Sequence, residues 1–113
     1  MKSYTDLSQS KKLKEILPLE SADMHYARIE DDDETRDWTV YLSPFPEICA
    51  LYVENLPCWS LTALLNILPS STLDSSDDHH YRLHCMERFT EWYDNPIDAC
   101  YEMILKLKEK NLL

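Results

Sequence analysis

The most restrictive feature of this 113-residue chain is that it contains no glycine. Glycine lets a backbone adopt positive φ and lets it approach a bound phosphate closely. The Walker A loop, the dinucleotide-binding G-x-G-x-x-G loop and the G-x-S-x-G nucleophile elbow all depend on these properties. The lack of glycine therefore argues against the nucleotide-binding and serine-hydrolase folds that are built on such loops.

The length and composition indicate one globular domain over residues 1–113. A chain of this size buries about two-thirds of its unfolded surface, which is enough for a core without disulfides or metals. Apolar residues make up 44% and charged residues 28% of the chain, as in ordinary globular domains. We therefore expect a packed fold rather than a disordered or fibrous chain.

The charge is strongly acidic, with 21 acidic against 11 basic residues and a formal net charge of −10. All seven lysines lie near the two ends of the chain. Such a surface repels phosphate and anionic lipid. We expect no direct contact with nucleic acid or a membrane, whereas the charge would suit a basic partner.

The compartment is predicted to be the cytoplasm. The first residues, MKSYTDLSQSKKLKEIL, lack the apolar core of a signal peptide, and no apolar run is long enough to span a membrane. The four cysteines are far apart and have apolar or aromatic neighbours: Cys49, Cys58, Cys85 and Cys100. We predict reduced thiols in or near the core.

The segment at residues 95–110, NPIDACYEMILKLKEK, predicts one long helix that organises the core. Asn95 can cap the first turn, and Pro96 suits the first helical position, where a missing N–H costs nothing. Apolar residues recur along one stripe at helical spacing: Ile97, Cys100, Tyr101, Ile104 and Leu107. We expect Ile104, in the middle of this stripe, to be almost fully buried.

Two shorter helices are predicted. Residues 5–16 form the first, with Thr5 or Ser8 as its cap and Pro18 beyond its end. Residues 58–69 form the second, in which Ser60 is a plausible cap and Pro69 stops the helix.

The strand predictions rest on aromatic, branched and alternating residues. Residues 24–29 and 38–42 are expected to be strands, joined by a solvated acidic loop, EDDDETRD, at residues 30–37. Residues 81–86 alternate, with Leu83 and Cys85 on one face and Arg82 and His84 on the other. Residues 89–93 can return beside them, although a helix over 83–93 also fits.

The fold class that we predict is α+β: a small antiparallel sheet packed by the long C-terminal helix and a shorter central helix, with an N-terminal helix in addition. Residues 70–80 are expected to be a polar loop. Residues 43–54 are ambiguous, because the apolar run 48–53 suits either a strand or a helical turn.

One cluster has metal-ligand chemistry, namely His79, His80, His84 and Cys85. Zinc prefers this mixture of imidazole and thiolate. In a strand, however, His80 and His84 would lie about 13 Å apart, so we favour surface histidines. A calcium site in the acidic loop is disfavoured because the spacing does not match a D-x-D-x-D-G loop.

Two further site hypotheses concern a thiol and the aromatic residues. Cys58 lies nearest a loop and could be the more exposed thiol, but no orienting partner or oxyanion donor can be identified. Five aromatic residues could line a pocket, although at this chain size we expect them to form the core: Trp38, Tyr41, Trp59, Trp92 and Tyr93. We therefore predict no catalytic residue and no cofactor.

Three segments resemble a known family: residues 8–24, 57–69 and 93–107. Their most specific blocks are W-S-L-x-x-L-L-x-x-L-P and N-P-I-D-A-x-x-E-M. The sequence resembles a family of small uncharacterised proteins that prophages and other mobile elements of gut Bacteroidetes carry. The resemblance covers somewhat under half of the chain and implies no activity or site residue.

The predicted function is a non-enzymatic module that binds a protein partner. The basis is that the chain has no catalytic signature and no glycine loop. One alternative is an acidic mimic of nucleic acid that inhibits a DNA-binding protein, which rests on the net charge of −10. A second alternative is a small metal-binding protein that uses His79, His80, His84 and Cys85.

Overall fold

The computed structural model describes residues 2–29, 37–43 and 53–113. Within these ranges the chain forms three α-helices and two three-stranded antiparallel sheets, which confirms the α+β fold class. The contacts divide the chain into two compact units. The N-terminal unit is Asp6–Trp59, and the C-terminal unit combines Ser60–Leu113 with Met1–Thr5. That the chain folds as one domain stays a prediction.

None of the helices in the described ranges has both the length and the apolar character needed to cross a bilayer.

In the N-terminal unit, helix α1 spans Leu7–Lys14 and is shorter than the predicted 5–16. Its cap is Asp6, so the assignment of Thr5 or Ser8 was wrong. The Asp6 carboxylate accepts a hydrogen bond from the backbone N–H of Gln9, and the Gln9 side chain accepts one from the backbone N–H of Asp6. This capping box satisfies two N–H groups that a bare helix end would leave unpaired.

The N-terminal sheet has the strand order β2-β1-β3. Strand β1 spans Met24–Ile29, as predicted, and strand β2 spans Thr39–Tyr41 within the predicted 38–42. The two strands pair antiparallel, with Tyr26 opposite Val40. The acidic loop between them was predicted over residues 30–37, and its residues 30–36 lie outside the described ranges.

Strand β3 spans Val53–Cys58 and pairs antiparallel with β1 on its other side. The last residue of the strand, Cys58, was predicted to be the first residue of the second helix. That helix therefore begins later than expected. Pro57, opposite His25, is tolerated because β3 is an edge strand, where no further neighbour needs the N–H that proline lacks. Of the ambiguous segment 43–54, residues 44–52 lie outside the described ranges.

The C-terminal sheet has the order β4-β5-β6, with β4 at Ser71–Ser75, β5 at Tyr81–Cys85 and β6 at Arg88–Phe89. The prediction of a polar loop over 70–80 was therefore wrong for β4, which pairs along its whole length with β5. The strand prediction for 81–86 was right, and the alternative helix over 83–93 was wrong. The chain thus forms two small sheets, where one was expected.

Helix α2 spans Leu61–Ile67, and the Ser60 hydroxyl accepts a hydrogen bond from the backbone N–H of Ala63, as a cap does. Helix α3 spans Pro96–Glu109 and packs against β5 and α2. The Asn95 side chain caps α3 by accepting from the backbone N–H of Asp98 at 2.9 Å. Four residues of the predicted stripe are fully buried, namely Ile97, Cys100, Ile104 and Leu107, and Met103 is buried with them. Tyr101, the fifth residue of the predicted stripe, is only partly buried.

Among the residues that the structure describes, four adopt positive φ, because the turns require it and the chain has no glycine to supply it. A two-residue turn joins β5 to β6, and its central residues Met86 and Glu87 have φ values of 51° and 64°. Positive φ at both positions is the pattern of a type I′ turn, where asparagine and glycine are preferred. His79 turns the β4–β5 hairpin at φ 60°.

The fourth such residue, Asn111 at φ 58°, ends helix α3. The backbone N–H of Leu112 donates to the carbonyl of Leu107, and that of Asn111 donates to the carbonyl of Lys108. This pair of hydrogen bonds is a Schellman motif, in which asparagine takes the place that glycine usually holds.

Candidate functional site

The four predicted metal-ligand candidates are not brought together around one ion. The His84 ring stacks on Phe89, the Cys85 thiol contacts the Pro69 carbonyl at 2.9 Å, and His79 and His80 are exposed in the β4–β5 turn. Among the residues that the structure describes, no three His, Cys, Asp or Glu side chains are arranged to hold a metal ion.

The cysteines are packing residues wherever the structure describes them. Cys58, Cys85 and Cys100 are buried and form no disulfide with one another, so the prediction of an exposed Cys58 thiol was wrong. Burial raises the pKa of Cys85, and it raises the pKa of Cys100 from 9.0 to about 12. A thiol with a raised pKa is a poor nucleophile at neutral pH. Cys49 lies outside the described ranges, and the cytoplasmic location stays a prediction.

The aromatic residues do not all enter the core. Trp59 is fully buried, and its indole N–H donates to the Ser21 hydroxyl at 3.0 Å. Tyr41 and Trp92, however, have 48% and 45% of their surface exposed, so the expectation that they belong to the core was wrong. The exposed Trp92 belongs instead to a cluster on the C-terminal sheet.

The outer face of the C-terminal sheet carries this cluster. Along β5, Leu83 and Cys85 are buried, so the alternation of the strand turns Arg82 and His84 to the opposite face. The tight turn at Met86 and Glu87 then returns the chain and places Phe89 directly opposite His84. Four side chains make up what we call the aromatic face: Arg82, His84, Phe89 and Trp92.

Within the aromatic face, the guanidinium of Arg82 lies over two rings. Its central carbon is 4.5 Å from the centroid of Phe89 and 4.7 Å from that of Trp92. The His84 ring stacks on the Phe89 ring, with centroids 4.2 Å apart and planes within 6° of parallel. Each Arg–aromatic contact is worth about 0.5–1 kcal/mol at an exposed site, so the contacts together favour this arrangement of the side chains.

Asp74 fixes the other side of Arg82. The two residues face each other across β4 and β5, and the Arg82 Nε lies 3.3 Å from the Asp74 Oδ2. This exposed ion pair adds little stability by itself. Its effect is to orient the guanidinium while leaving the outer surfaces of Phe89 and Trp92 open, at 47% and 45% exposure.

A shallow groove lies beside the aromatic face and shares Phe89 with it. The groove has a volume of about 370 Å³ and is lined by Arg88, Phe89, Lys106, Glu109 and Lys110. The Lys106 ammonium reaches across to the Phe89 carbonyl at 3.3 Å and lies 4.0 Å from the Glu102 carboxylate. Three of the five lining side chains are cations, in a chain whose net charge is −10.

A second cleft, of about 570 Å³, lies in the N-terminal unit between α1 and β3 and is bordered by Trp38. Arg28 covers the Trp38 ring at 4.6 Å and forms an ion pair with Glu54 at 2.7 Å. Both arginines are ion-paired, but Arg28 covers one ring whereas Arg82 covers two. The aromatic face, with two open rings about one arginine, is therefore the stronger binding surface.

No family model, curated protein or solved structure matches the chain. The resemblance to small proteins of prophages and other mobile elements stays a prediction, as does the function that accompanies it.

Sequence reasoning missed the aromatic face, although one signal pointed to it. The alternation of residues 81–86 placed Arg82 and His84 on the face opposite Leu83. Phe89 and Trp92 follow within a few residues, but Trp92 was expected to belong to the core. The return of residues 89–93 beside residues 81–86 was predicted, but not the register of the turn at Met86 and Glu87 that puts Phe89 opposite His84.

Proposed function

We propose that the protein is a non-enzymatic interaction module and that the aromatic face is the surface through which it binds a partner protein. The observation that supports this proposal most is the arrangement of Arg82 between Phe89 and Trp92. Both rings remain about half exposed.

The residue types are those that dominate protein interfaces. Tryptophan and arginine are enriched among the side chains that carry most binding energy, and aromatic residues are enriched in interface cores. A phenylalanine or tryptophan buries 150–250 Å² in all. Covering the exposed half of each ring would remove roughly 100 Å² from water, which is worth about 2.5 kcal/mol per ring before the entropic costs of association are subtracted.

The aromatic face is also ordered before any partner binds. Asp74 and the two rings restrict Arg82, and the stacked His84 ring restricts Phe89. Immobilising a side chain on binding costs about 0.5–1.5 kcal/mol. Side chains that are already restricted avoid part of this loss, so a small surface can reach useful affinity.

The distribution of charge favours this surface over the acidic mimic. Residues 6–59 contain 12 acidic and five basic residues, whereas the rest of the chain contains nine acidic and six basic residues. The C-terminal unit, which carries the aromatic face, is therefore much closer to neutral. Contacts made by aromatic rings would persist at high salt concentration, whereas a mimic of nucleic acid would release its partner as the salt concentration rises.

The proposal is tested by affinity capture from host lysate with the wild-type protein and a variant that combines Phe89→Ala with Trp92→Ala. We expect the double variant to lose proteins that the wild type retains at both low and high salt. Tyr41→Ala is the matched control, because Tyr41 is an aromatic residue of similar exposure in the other unit. Capture that is unaffected by the double variant, or that disappears at high salt, would contradict the proposal.

A further inference from the structure

We propose that the groove beside the aromatic face binds an acidic segment of the partner protein. In this arrangement, carboxylates of the segment contact Arg88, Lys106 and Lys110, and an apolar side chain between them packs on Phe89. The inference rests on the proposed function and adds the chemistry of the partner to it.

The groove is a local concentration of positive charge. It combines three cations with one carboxylate, Glu109, along its walls. Glu102 lies 4.0 Å from the Lys106 ammonium and offsets part of that charge. Fields between exposed charges are screened beyond about 8–10 Å at physiological salt, so the charges that line the groove and border it directly determine what it attracts.

The cations can still donate hydrogen bonds to a ligand. An ammonium has three N–H donors, and the contacts of Lys106 with the Phe89 carbonyl and with Glu102 account for two of them. The Arg88 guanidinium donates to the Met86 carbonyl at 3.1 Å. A guanidinium has five N–H donors in a planar fork that matches a carboxylate.

The groove suits a peptide better than a nucleic acid. A nucleic acid carries a phosphate at every nucleotide, and a long run of these would meet the nine acidic residues of the C-terminal unit as well as its six basic ones. A short peptide can place carboxylates only where the cations are. Phe89, 47% exposed, offers the apolar contact that a protein segment can use between its charges.

The test measures fluorescence anisotropy of a labelled peptide in which glutamates surround a central leucine. The intact protein is titrated into this peptide, into the same peptide with glutamine for each glutamate, and into a single-stranded oligonucleotide of equal charge. We expect the glutamate peptide to bind most tightly. Arg88→Gln and Lys106→Gln should each weaken its binding about two- to fivefold, as expected for exposed ion pairs.

Lys108→Gln is the matched control, because Lys108 is an exposed lysine on α3 that does not line the groove; it should leave peptide binding nearly unchanged. Thermal unfolding checks that each variant is folded. Tighter binding of the oligonucleotide, no binding of the glutamate peptide, or equal binding by the Arg88, Lys106 and Lys108 variants would overturn the inference.

These results are separate from the test of the proposed function. A partner that depends on Phe89 and Trp92 but not on Lys106 would leave the proposed function standing and refute the acidic partner.

Discussion

Replacing Glu87 with glycine is expected to stabilise this protein, although glycine usually destabilises. Glu87 has φ 64° and follows Met86, at φ 51°, in the two-residue turn between β5 and β6. A side chain with a Cβ in the left-handed region costs roughly 1–2 kcal/mol. Glycine has no Cβ and adopts this conformation without that cost.

The expected gain is smaller than the relieved strain. Glycine also makes the unfolded chain more flexible, which opposes folding by roughly 0.5–1 kcal/mol. The difference leaves a net stabilisation of about 0.5–1 kcal/mol. Since 1 kcal/mol moves the melting temperature of a domain near this size by about 4–8 °C, Glu87→Gly should raise it by about 2–8 °C.

Thermal unfolding followed by circular dichroism measures this change, and two controls separate its causes. Glu87→Ala removes the same negative charge but keeps a Cβ, so it isolates the effect of charge in an acidic chain. Glu109→Gly places glycine at the end of α3, where the backbone is helical, and should lower the melting temperature. If Glu87→Gly and Glu87→Ala shift the melting temperature equally, or if glycine lowers it, the turn does not store the strain that we assign to it.

Three further predictions concern helix α3. Ile104→Ala should lower the free energy of unfolding by about 2–5 kcal/mol, because Ile104 is fully buried. The control Lys108→Ala, on the exposed side of the helix, should change the free energy of unfolding little. Equal melting temperatures for the two variants would contradict the organising role of α3. Asn95→Ala should lower the free energy of unfolding by about 1 kcal/mol through loss of the cap, as measured by urea unfolding. Burial raises the pKa of Cys100 from 9.0 to about 12, so the folded state holds the thiol proton more tightly than the unfolded state does. The resulting stability is present below pH 9.0 and is lost as the pH rises toward about 12. The free energy of unfolding, measured with urea at a series of alkaline pH values, should therefore fall less steeply with pH for Cys100→Ala than for the wild type. Parallel profiles would contradict this assignment.

The elements that sequence reasoning predicted best are those whose signals are local. Helix α3 has its cap at Asn95, a proline at its first position and a continuous apolar stripe, all within one segment. Strand β1, MHYARI, likewise carries its signal in its own residues, with the aromatic Tyr26 and the branched Ile29. In each case the residues of the element itself carry enough information, because every local preference favours the same structure.

The elements that were missed depend on distant partners. Strand β4, STLDS, has one large apolar residue and forms by pairing with β5. Strand β3 contains Pro57, which a sequence pattern takes as a break, and only its position at the edge of the sheet makes the proline acceptable. The aromatic face was missed for a local reason, since Phe89 reaches His84 through a tight turn that uses no glycine and therefore shows no turn signal in the sequence.

The central claim is that the aromatic face binds a partner protein, and photo-crosslinking tests it most directly. A photoreactive benzoylphenylalanine replaces Trp92 in one variant and Tyr41 in another, and each variant is irradiated in host lysate. These two positions have nearly the same exposure, 45% and 48%, and lie in different units. We predict a discrete crosslinked protein from position 92 and none from position 41. A crosslink from position 41 with none from position 92 would show that the protein binds its partner elsewhere.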